Sequence, residues 1–120
     1  MIGVSAFVQD LVAIPGGVVL AVTGRTARNT RRRAANGTWS AAGWNPPAGL
    51  VFQRAWGRAE NDVYATRYFG PTSTYLWHWD GTNFTELSIR ADYLDDVAGN
   101  AFGDVAAVGN VGRIWRYGRR

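Results

Sequence analysis

His78 is the only histidine among the 120 residues, and cysteine is absent. A multi-histidine metal site, a thiolate site and a disulfide framework are therefore all excluded, and cysteine usage says nothing about redox compartment. His78 sits in WHWDG, where strand alternation sets it opposite Trp77 and Trp79. A Ser-His-Asp relay has its residue types here, but no GxSxG elbow presents a nucleophile. The glycines form neither GxGxxG nor a P-loop. A structural or solvent-facing role suits His78 better than catalysis. Asp62 and Asp104 each precede an apolar run, in NDV and GDV, where a carboxylate accepts backbone N–H bonds of the preceding turn. Asp92, Asp95 and Asp96 cluster as Ca²⁺ ligands would, yet lack EF-hand spacing and read better as a solvated turn. Asn36-Gly37-Thr38 and Asn83-Phe84-Thr85 match the glycosylation acceptor pattern, and both fall in tight turns.

Charge gives a second class of chemistry. All 13 basic residues are arginine and the formal net charge is +4. The densest run, Arg25 to Arg33, would suit phosphate or anionic glycan. Alternation sends Arg31 and Arg33 to one side and Arg32 to the other, and no base-stacking aromatics interleave, so specific nucleic-acid binding is not expected. Hydrophobic residues make up 47% and charged residues 18%, which excludes a disordered chain. The apolar stretch from Leu11 to Val22 is interrupted by Pro15-Gly16-Gly17 and is too short for a membrane helix, so no membrane insertion is expected and no targeting signal is visible.

The elements that position these residues come from an internal repeat. LVAIPGGVVLAVTG, FQRAWGRAENDVYATR and DDVAGNAFGDVAAVGN align, with Val19, Val63 and Val105 separated by steps of 44 and 42 residues. Gly37 and Gly81 repeat the step of 44. Each copy reads as up to four short strands and no segment has helical periodicity. First strands are expected at Leu11–Ile14, Val51–Trp56 and Leu94–Ala98, and second strands at Val18–Thr23, Asp62–Arg67 and Asp104–Val108. Third strands are expected at Arg31–Ala35, Tyr75–Trp79 and Arg113–Tyr117, and fourth strands at Thr38–Ala42 and Phe84–Ile89. Asn36-Gly37 and Asp80-Gly81 supply the hairpins between third and fourth strands. Pro15-Gly16-Gly17 and the GRAEND and GNAFGD stretches break first from second. Units of about 40–45 residues with four strands have the size of β-propeller blades.

RAWGRAENDVYA and YLWHWDGTNFTEL resemble the bacterial tandem β-propeller repeat of the VWG…NDVWAVG…HWDG type. The resemblance covers essentially the whole chain, best in the middle copy and least in the first. It implies an all-β fold of three four-stranded blades, found in large exported or cell-surface bacterial proteins, and it implies a scaffold more than an activity. Within one domain, 1–120, the blades are 11–42, 51–89 and 94–117. The third copy stops after its third strand, while 1–8 falls in the register of a fourth strand with no blade before it. Three blades are too few for a ring. The expectation is that residues 1–8 complete the last blade of another chain, in a homodimer of six blades or, as an alternative, a trimer of nine.

Ligands of propellers usually meet the loops between fourth and first strands, here 43–49 and 89–93, and between second and third, here 24–30, 68–73 and 109–112. Those loops would gather Trp44, Tyr68, Phe69, Arg90, Tyr93, Arg25 and Arg28 on one face, a set suited to sugar rings or acidic peptide. Filling gaps between adjacent blades is the better reading of Trp44 and Tyr93, because propellers put large side chains there. The expected function is a noncatalytic scaffold for binding or assembly, with a carbohydrate or protein ligand, no cofactor and no metal. A purely structural unit is the alternative, and a propeller hydrolase a third.

Overall fold

Alternating apolar residues punctuated by glycine turns give short antiparallel strands. The computed structural model describes residues 8–23, 29–47, 51–69, 73–91, 94–109 and 114–117. Eleven strands are found among them, in three separate sheets, with no helix longer than a single turn. The first sheet holds β1 (Val8–Ile14), β2 (Val18–Thr23), β3 (Arg31–Arg33) and β4 (Trp39–Ala41), in chain order. The second holds β5 (Phe52–Ala59), β6 (Asp62–Phe69), β7 (Ser73–Trp79) and β8 (Phe84–Ala91). The third holds β9 (Asp96–Gly99), β10 (Val105–Val108) and β11 (Ile114–Tyr117), and no fourth strand lies among the described residues.

The hairpins close as the turn chemistry requires. Gly37 and Gly81 take φ of +95° and +97°, a region costly to residues with a Cβ. Asn36 Oδ1 accepts from the Thr38 amide at 3.0 Å, and Asp80 Oδ1 accepts from Thr82 and Asn83 at 2.8 and 2.7 Å.

Several boundaries differ from expectation. Val8 pairs with Thr23 and so belongs to β1, past a register shift between Val8 and Asp10; it is not part of an outer strand 1–8, whose other residues lie outside those described. β5 runs to Ala59 and β9 to Gly99, beyond the expected ends at Trp56 and Ala98. Gly57 and Gly99 are not breakers, because each pairs inside its sheet, with Val63 and Val105. Tyr68, Phe69 and Arg90 lie in strands rather than loops, since Tyr68 pairs with Thr74, Phe69 with Ser73 and Tyr75 with Arg90. Aromatic and hydroxyl residues favour the pleated backbone there.

The sheets adjoin in order through their first strands, β1 against β5 and β5 against β9. Each contact closes a core. Between the first two sheets lie Val12, Ile14, Val18, Leu20, Val22, Phe52, Val63, Trp77 and Trp79. Between the second and third lie Tyr64, Leu76, Leu94, Val97, Val105 and Ala107. Glycine sets both distances of approach. A Cβ at Gly57 would stand 2.5 Å from Ile14 Cδ1, and one at Gly99 would stand 2.6 Å from the Trp56 ring. The Asp10 carboxylate also crosses the first contact, accepting the Ala55 amide at 2.9 Å.

Candidate functional site

Of the residues expected to form a ligand face, Trp44 is placed most firmly. It follows β4 and is only 3% exposed. Its indole meets Phe84 at 5.2 Å edge-on, Phe52 at 6.0 Å edge-on and Trp79 at 6.0 Å. Aromatic clusters in such geometry are worth roughly 0.5–1.5 kcal/mol per pair beyond burial. Asn45 Nδ2 donates to the Thr82 carbonyl at 3.1 Å and pins the same segment to the β7–β8 turn. The Trp44 ring is thus committed to protein, and the packing reading of this residue is the one the geometry fits. Tyr68, Phe69 and Arg90 share one end of the second sheet, because β6 finishes, β7 starts and β8 finishes there. Tyr93, Arg25 and Arg28 lie outside the described residues. The structure therefore brings Tyr68, Phe69 and Arg90 to a common end and sets Trp44 apart in the core.

The opposite end of the second sheet holds a polar cluster that residue types alone did not join. Antiparallel register places Tyr64 beside His78, and Asp62 opens the same strand. His78 Nε2 lies 2.6 Å from Asp62 Oδ1, while Arg58 donates from Nε and Nη2 to Asp62 Oδ2, each at 2.8 Å. Asp62 is 4% exposed, and these donors offset the hydration its carboxylate gives up on burial. Tyr64 covers His78, ring centres 4.5 Å apart. Arg58 Nη1 reaches on to the Ala101 carbonyl at 3.2 Å, in the β9–β10 turn of the next sheet. The signal available in sequence was the spacing of Asp62, Tyr64 and His78 across one hairpin, legible only once the register is known.

Chemically this cluster is an oriented imidazole–carboxylate pair. Among the described residues no serine, threonine or cysteine is hydrogen-bonded to His78, and no group of His, Cys, Asp and Glu could hold a metal ion. What the cluster does in the structure is fasten a turn. A similar clasp crosses the first contact, where Arg32 holds Glu60 through two hydrogen bonds, Nη2 to Oε2 at 3.1 Å. The Arg32 guanidinium keeps the Glu60 carboxyl below its ordinary range. Asp95 and Asp96 are exposed and separate: Asp96 Oδ1 accepts the Val97 amide at 2.9 Å.

No protein-family model matches the chain, and no curated protein matches it.

Proposed function

We propose that the chain is a noncatalytic scaffold for binding or assembly, three blades of a β-propeller that self-associate into a closed ring. One observation supports this above the rest. Three antiparallel sheets follow one another in chain order, and each meets the next along its first strand. Radial sheets whose first strands lie innermost are the plan of a propeller. Two copies would bring six blades together, and three copies nine. The chemistry present serves fastening, since Asp62, His78, Arg58, Arg32 and Glu60 are used in clasps.

Native mass tests the reading. Sedimentation velocity over a wide concentration range is expected to give a species of at least twice 13.1 kDa. A monomer at every concentration would end it. A carbohydrate or protein ligand would engage the end of the second sheet to which the strand register brings Tyr68, Phe69 and Arg90. A glycan array, with Arg90→Ala as control, separates such a binding scaffold from a purely structural one.

A further inference from the structure

The sheets share one register, so their faces can be compared place by place. Ala13, Gly57 and Gly99 are opposite Val19, Val63 and Val105. Leu11, Ala55 and Val97 are opposite Ala21, Ala65 and Ala107. These residues define a leading face, which in the second and third sheets packs on the sheet before it. On the other side, Val12, Trp56 and Ala98 are equivalent, as are Leu20, Tyr64 and Ala106. Leu76 and Ile114 are also equivalent, being opposite Thr66 and Val108, which correspond. These define a trailing face, which in the first and second sheets packs on the sheet that follows.

Among the described residues one leading and one trailing face keep exposed apolar side chains, each face a copy of one buried elsewhere in the molecule, although Ala21 and Thr23 of that leading face are buried. On the first sheet Leu11 is 63% exposed, while its counterparts Ala55 and Val97 are buried. On the third sheet Ile114 is 66% exposed, while its counterpart Leu76 is fully buried. One leading and one trailing face are left over, the two halves of the contact the chain already makes twice.

Their sizes also match. Inside the chain, a glycine on the leading face receives a bulky residue from the trailing face: Gly57 takes Val12 and Ile14, and Gly99 takes Trp56. At the open leading face the glycine place is Ala13, whose Cβ would strike a bulky partner. At the open trailing face the bulky place is Ala98. A methyl has been gained on one face, and on the other the side chain that would strike it is absent. A hydrogen-bonding group is retained as well. Asp10 accepts the next amide through Oδ1 and spans the first contact through Oδ2. Asp96, at the same register place, makes the same Oδ1 bond at 2.9 Å and faces the open side. On the leading side the match is confined to β1 and β2, because Arg31 and Arg33 occupy the places of Trp77 and Trp79.

We infer that the open trailing face, Ala98, Val108 and Ile114, docks head to tail on the open leading face, Leu11, Ala13 and Val19, of a second copy of this chain. This rests on the self-associating scaffold proposed above and names its seam. The contact is heterologous: Leu11 meets the third sheet of its neighbour, never another Leu11.

Complementing variants test it in the full chain. Leu11→Asp and Ile114→Asp alter exposed side chains, so each folds, and each alone is expected to sediment as a monomer. Mixed, they retain one intact seam, between the third sheet of the Leu11→Asp chain and the first sheet of the Ile114→Asp chain, and form a 1:1 pair. Ala98→Trp should weaken association by about tenfold or more, the scale of an overpacked contact, and Ala13→Gly in the same chain should restore it. If the natural sequence associates but Ile114→Asp leaves its mass unchanged, or the mixture stays monomeric, the seam is overturned while self-association stands. If the natural sequence is itself monomeric, both fail.

Discussion

Substituting alanine for Gly57 and for Gly99 should separate the two contacts between sheets by their rigidity. Neither glycine uses a left-handed φ, so alanine carries no backbone strain. It even gains roughly 0.5–1 kcal/mol by restricting the unfolded chain. The cost lies in space. At Gly57 the new Cβ meets Ile14 Cδ1 at 2.5 Å and Val63 Cγ2 at 3.1 Å, and the nearer atom ends a side chain that can turn away. At Gly99 it meets the Trp56 ring at 2.6 Å and the Asp104 carbonyl oxygen at 2.7 Å. That ring is stacked on Tyr64 and the carbonyl belongs to the backbone, so neither yields easily. Overpacking costs about 1–3 kcal/mol. Taking the low end for Gly57 and the high end for Gly99, the net losses are about 0–0.5 and about 2–2.5 kcal/mol. Urea unfolding followed by tryptophan fluorescence, at one fixed protein concentration, measures both. Ile14→Val supplies the decisive control. Alone it costs about 1 kcal/mol, but it removes the atom that crowds Gly57, so the double variant should recover about 1 kcal/mol of the expected sum. With Gly99→Ala the same change should simply add. Equal losses at the two glycines, or additivity of Ile14→Val with Gly57→Ala, would refute the reasoning.

Other consequences are open to direct test. Trp44→Ala empties a place lined by Phe52, Trp79 and Phe84 and should cost about 3–5 kcal/mol in the same unfolding assay. Asp62→Asn removes the charge that His78 and Arg58 hold and should cost about 1–3 kcal/mol, with the temperature midpoint falling by roughly 4 °C per kcal/mol. The Asp80 carboxyl lies below its ordinary range because the Asn83 and then the Thr82 amide donate to it. Its contribution is therefore complete above the unfolded-state value and lost as pH falls through the lower folded value. Asp80→Asn should flatten the acid limb of stability against pH by lowering stability at neutral pH, and should leave stability below the folded value nearly unchanged.

Much of this fold was legible because the repeat carries its own punctuation. Asn36-Gly37 and Asp80-Gly81 marked hairpins, and the alternation of Trp77, His78 and Trp79 placed two aromatics on one face and the imidazole on the other. Gly57 and Gly99 were harder. A glycine in a strand either breaks it or lets another strand come close, and the sequence around it does not distinguish the two. Only the neighbour, Ile14 in one case and Trp56 in the other, shows that closeness was the purpose. β1 was read short at its start for a similar reason: Gln9 and Asp10 look like loop residues, yet Asp10 bridges to the second sheet.

The polar cluster shows the same limit at the level of a site. Asp62 read alone is a turn acid and His78 read alone is a surface histidine; together they are a clasp, and what joins them is the pairing of β6 with β7. Trp44 could be read as a loop-face residue or as packing between sheets, and its contacts with Phe52, Trp79 and Phe84 match the packing reading.

The two open faces constrain how the molecule is used. An array of repeats that ends in water is capped by polar residues on its outer surface, since the end units would otherwise expose a core-like face. Here Leu11, Val108 and Ile114 stay apolar at the two ends and are the exposed counterparts of buried positions. Solvent exposure alone would favour polar residues at all three and has no reason to pair a gained methyl at Ala13 with the small side chain of Ala98. A partner supplying the same face does. The variation among the three copies is correlated across the two exposed faces, as the proposed seam requires.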